Sequence, residues 1–88
     1  MVKHLDIFVF GDVKGVGFRA AAKAVAQNLG IMGYVRNEGR FVIIEAEAEE
    51  DTLDNFLEWC KQGPDSAKVE KVDFKEGHLK TFREFSIL

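Results

Sequence analysis

One cysteine, Cys60, stands among 88 residues, so no disulfide can close within the chain. Histidine is almost as scarce. His4 and His78 lie far apart with no ligand residues grouped beside them, and both are expected at the surface or on a sheet edge. No cluster of metal-ligand spacing emerges, so the residues announce no metal site. Long hydrophobic runs are missing too. The apolar stretch in MVKHLDIFVFGD is too short and too charged to span a membrane, and no small-residue cleavage site follows it. Nor is there an excess of positive charge: 12 Lys and Arg against 15 Asp and Glu leave a net charge of −3. That balance excludes a general attraction to nucleic acid or an anionic membrane, so any anion site must be local. The expectation is a monomer in a reduced, cytoplasmic setting.

What is present is enough for one small domain over residues 1–88. An apolar content of 47% supports a packed core. His4 to Phe10 alternates Leu5, Ile7 and Val9 against His4, Asp6, Phe8 and Phe10, a strand with one apolar and one mixed face. From Phe18 to Leu29 the period becomes helical, with Ala21, Ala22, Val25, Ala26 and Leu29 on one side and Gly30 closing the helix. Gly33 to Asn37 and Phe41 to Ala48 read as strands joined by a tight turn at Glu38-Gly39. Asp51 or Thr52 is placed to cap a second helix with the stripe Leu53, Phe56, Leu57 and Cys60, ended by Gly63-Pro64. Cys60 thereby belongs to the core. Ala67 to Phe74 reads as a further strand and Phe82 to Leu88 as a short last one. The acidic run Glu45 to Asp51 is expected to be solvated. The order β-α-β-β-α-β predicts an α+β, ferredoxin-like antiparallel sheet with both helices on one face and the other face open.

The informative stretch is GDVKGVGFR, residues 11 to 19, between the first strand and the first helix. Glycines let a backbone curl so that successive N–H groups point inward, and a helix N-terminus adds the positive end of its dipole. Arg19 at the helix entrance offers a planar fork for two oxygens of a phosphate. The stretch does not supply a Walker A loop. Gly15 to Ala20 does match G-x-G-x-x-A, but the chain is too short for a doubly wound dinucleotide fold.

GDVKGVGFR closely resembles the first signature of the acylphosphatase family, G-x-V-Q-G-V-G-F-R. LGIMGYVRN, residues 29 to 37, resembles the second, and GPDSAKVEKVDF, residues 63 to 74, resembles a later family segment. The resemblance implies hydrolysis of acyl phosphates to carboxylate and inorganic phosphate, without metal or cofactor. It implies Arg19 as phosphate-binding residue and Asn37 as the residue that positions the attacking water. Lys14, Gly15, Val16, Gly17 and Phe18 would line the substrate pocket, and product phosphate would act as a competitive inhibitor.

The chain departs from the family pattern in two notable places. Lys14 stands where glutamine is usual, and the turn after Asn37 is shorter than usual. The competing reading is a catalytically silent ligand- or RNA-binding module. Ile7 to Gly11 is similar to the first-strand motif of RNA-recognition domains, but the aromatic-rich third-strand signature is absent from GRFVIIEA.

Overall fold

A computed structural model describes residues 1–88. The alternating stretch forms β1 (Val2–Asp12), and the helical stripe forms α1 (Phe18–Leu29). β2 (Met32–Glu38) and β3 (Phe41–Glu49) make a hairpin whose two central residues are Gly39 and Arg40, since Glu38 already pairs with Phe41. Then come α2 (Glu50–Gln62), β4 (Lys68–Gly77) and β5 (Phe85–Ile87). The sheet order is β4-β1-β3-β2-β5.

Both helices pack on one face. Leu5, Ile7 and Val9 of β1 and Val42, Ile44 and Ala46 of β3 meet Phe18, Ala22 and Ala26 of α1 and Leu53, Phe56, Leu57 and Cys60 of α2. Each large side chain fully buried there contributes about 1.5–3 kcal/mol. Burial pushes the Cys60 thiol up to about 12. Iodoacetamide at neutral pH should therefore label Cys60 only as the protein unfolds; rapid labelling of the native protein would mean that α2 detaches from the sheet. No helix is long and apolar enough to cross a membrane.

Four sequence expectations change. First, the sheet is mixed, because β5 pairs parallel to β2. β4 finishes at the end of the sheet marked by the pair His4 and Gly77. The chain crosses the sheet there and enters β5 from the end at which β2 also starts. Second, α2 begins at Glu50 with Glu49 as its N-cap and no side-chain cap bond, so neither Asp51 nor Thr52 caps it. β3 runs into the helix without a loop, which leaves no room for a later cap. Glu50 and Asp51 in the first turn favour the helix dipole instead.

Third, the face away from the helices is not fully open. Residues 78–84 cross it as a strap. The backbone N–H groups of Lys80 and Phe82 donate to the Glu47 carboxylate at 2.6 and 3.1 Å, and the Phe82 ring lies over His4 and against Tyr34. Fourth, His4, Glu45 and Glu47 are buried beneath this strap, at 2%, 6% and 5% exposure. β1 is an interior strand, so His4 is neither a surface nor an edge residue, and Glu45 and Glu47 of the acidic run are not solvated. Burial opposes charge on His4, but hydrogen bonds to Glu47 and Asp6 outweigh it and raise the pKa. Burial likewise opposes charge on Glu47. The Lys80 N–H, His4 and the Phe82 N–H overcome it and hold the carboxyl below its ordinary range.

Candidate active site

Five residues separate β1 from α1, and they must carry the chain from the sheet to the helix layer. Gly15 and Gly17 do so with φ of 73° and 78°, left-handed values that cost glycine no Cβ strain. Gly17 is the N-cap of α1, and no side chain bonds the helix end. Phe18 is buried, with its ring 5.4 Å from that of Trp59, and so pins the first turn to α2. Arg19 then faces outward. It is exposed and takes part in no ion pair.

None of the backbone N–H groups from Gly15 to Ala20 has a hydrogen-bond partner in the protein. No acidic residue occupies the first turn of α1. These donors, the helix dipole and the Arg19 guanidinium surround a cleft of about 180 Å³, lined by Val13, Gly15, Gly17, Phe18, Arg19, Ala20 and Ile87. Ser66 Oγ donates to the Val16 carbonyl at 2.7 Å and ties the loop after α2 to the cradle. The arrangement suits a small, multiply charged oxyanion. A larger groove of about 550 Å³ lies at the other end of the sheet, near Val2, Leu29, Met32 and Leu79. Its lining holds Glu47 and Glu49 and no cationic side chain, so size does not decide where an anion binds.

The structure brings Gly15, Gly17, Phe18 and Arg19 together in the cleft. The Val16 side chain packs against the core. Asn37 is not among the residues lining the cleft, but it reaches the same end of the molecule by sheet register. It pairs with Val42, which pairs with Val9. Val9 and Val42 face the helices, so Asn37 shares that face with the N-terminal end of α1. It also follows by two residues Val35, the partner of the cleft residue Ile87. Its side-chain oxygen is buried and unpartnered. Asn37 is therefore not stapling the turn that follows it.

Lys14 does not line the cleft. Its ammonium donates to the Gly39 carbonyl and joins the cradle loop to the turn after Asn37. Val13, Ala20 and Ile87 line the cleft without having been expected there; the first two flank the predicted residues, and Ile87 comes from far along the chain. Only the parallel pairing of β5 carries it there, and no local pattern announces it.

The sequence and the fold have known relatives. A curated acylphosphatase from Acaryochloris marina is 48% identical over 86 residues, 96% of this chain and 91% of the relative. One from Archaeoglobus fulgidus is 46% identical, covering 94% of each. The crystal structure of the acylphosphatase from Bacillus subtilis superposes with a TM-score of 0.94 at 34% identity, over 100% of this chain and 99% of that one. The model of the acylphosphatase family matches residues 5–87, and with that span the chain belongs to the acylphosphatase family.

Proposed function

We propose that the cradle hydrolyses acyl phosphates, with Arg19 and the amides of residues 15–20 holding the phosphoryl group and Asn37 holding the attacking water. The observation that carries this reading is the set of unpartnered N–H groups around an uncompensated arginine. An acyl phosphate needs little more. Its leaving group is a carboxylate whose conjugate acid has a pKa of about 4, so it departs without a general acid. The water oxygen attacks phosphorus, the bond from phosphorus to the acyl oxygen breaks, and the electron pair leaves with the carboxylate. The water's proton ends on the released phosphate. The work left to the protein is positioning and stabilisation of charge on the phosphoryl oxygens.

Asn37 offers an acceptor and a donor on one side chain, enough to orient water without acting as a strong base. In an assay of phosphate release from an aryl acyl phosphate with EDTA present, Asn37→Ala is expected to lower kcat about a hundredfold or more while the inhibition constant for phosphate changes little. Wild-type protein that is folded yet inactive would sink the assignment.

Lys14 acts on this site through the turn. Lys14→Met removes the bond between the cradle loop and Gly39, and kcat should fall several-fold with inhibition by phosphate unchanged. A clearly weaker inhibition by phosphate would instead put the ammonium in the cleft. The free thiol of Cys60 fits a reducing cytoplasm, where we propose that the chain acts as a monomer.

A further inference from the structure

Register alone stacks two polar pairs on the strap-covered face: His4 opposite Glu47 and Asp6 opposite Glu45. His4 Nδ1 lies 2.7 Å from Glu47 Oε2. Glu47 is itself fixed by the Lys80 and Phe82 N–H groups. A carboxylate behind one imidazole nitrogen orients the other nitrogen for a metal. That other nitrogen, Nε2, is 2.9 Å from Asp6 Oδ1 and 3.3 Å from Glu45 Oε1. The three donor atoms of His4, Asp6 and Glu45 all lie within 4.8 Å of one another.

Zinc bonds nitrogen and oxygen at about 2.0–2.2 Å in a tetrahedron, which sets its donors roughly 3.4 Å apart, close to this spacing. Glu45 Oε1 is buried, and the Lys80 ammonium pairs with it at 2.7 Å from a side chain that is more than half exposed. The group is thus a donor set with His4 and Glu45 buried and Asp6 half-buried, and the ammonium paired with it hangs from a flexible, solvent-reaching arm.

We propose that His4, Asp6 and Glu45 form a binding site for a zinc-class divalent cation, remote from the phosphate cradle, which the metal enters by displacing the Lys80 ammonium and the proton that His4 Nε2 shares with Asp6, released to solvent. One histidine nitrogen and two carboxylates suit Zn²⁺ over Ca²⁺ or Mg²⁺, which favour all-oxygen sites. Bound metal would fasten β1 to β3 beneath the strap, so it should stabilise the fold and leave catalysis alone.

The test is titration calorimetry of the EDTA-stripped full chain with Zn²⁺. The expected result is one ion per chain, with affinity falling at least tenfold in Asp6→Asn and in His4→Gln. It should be unchanged in His78→Ala and tighter in Lys80→Met, where the competing ammonium is gone. Thermal melts establish that each variant is folded. If His4→Gln does not fold, the half-buried Asp6 and the exposed Lys80 still decide the matter. Absence of binding, undiminished affinity in Asp6→Asn, or weaker binding in Lys80→Met would overturn the site. A mere structural role for the cluster would not produce the gain in Lys80→Met.

Discussion

Arg19→Ala is expected to lower kcat/KM for an acyl phosphate about a thousandfold, the scale on which an arginine that clamps a transferring phosphoryl group acts. That loss corresponds to about 4 kcal/mol of transition-state stabilisation. The side chain is exposed and pairs with no acid, so its removal should move stability by no more than about 0.5 kcal/mol. The two readouts therefore separate cleanly: phosphate release collapses while the melting temperature stays put. Arg19→Lys keeps the charge but not the fork, and should recover only part of the rate. A loss below tenfold in Arg19→Ala would mean that the amides alone hold the phosphoryl group, and the assignment of Arg19 would fail.

The second large effect is on stability. Gly33 in β2 has φ of 151°, and a Cβ built there would lie 1.8 Å from the Glu45 carbonyl oxygen. The obstacle is backbone, so no side chain can swing aside. Gly33 is also held from both flanks, paired with Ala46 of β3 and Phe85 of β5, and its N–H donates to the Glu84 carbonyl at 2.8 Å. Gly33→Ala must part these strands. The expected loss is more than about 4 kcal/mol, a large share of the roughly 5–15 kcal/mol that holds a domain together. The melting temperature should fall by about 20 °C or more, or the variant should be unfolded at 25 °C by circular dichroism. A melt within a few degrees of wild type would show that β2 and β3 can separate at little cost.

The parts of this protein legible in its sequence are those whose causes are local. Leu5, Ile7 and Val9 declare a strand by period, and Leu53, Phe56, Leu57 and Cys60 declare a helix in the same way. The cradle is legible because its glycines, its helix end and Arg19 are neighbours in sequence. What escaped has partners far along the chain. The mixed face of β1 looks solvent-facing until residues 78–84 are laid over it, which turns His4 into a core residue with Glu47 and Phe82 around it. Ile87 joins the cleft only through pairing with Val35. Asp51 and Thr52 have good capping chemistry, but the uninterrupted passage from β3 into α2 takes precedence over propensity. The short turn after Asn37 was legible; its tether from Lys14 was not, because the contact joins residues 25 apart.

The order β4-β1-β3-β2-β5 also bears on how the molecule is born. Of these five strands β1 is made first, yet it is an interior one, and its two neighbours are residues 41–49 and 68–77. No early segment can settle into its final place by itself. Synthesis must pass residue 77 before β1 is paired on both edges, and pass residue 82 before the Glu47 carboxylate beside His4 meets its backbone donors. Until then Ile7 and Val9 travel as an exposed ribbon with open edges, the kind of nascent segment that chaperones hold.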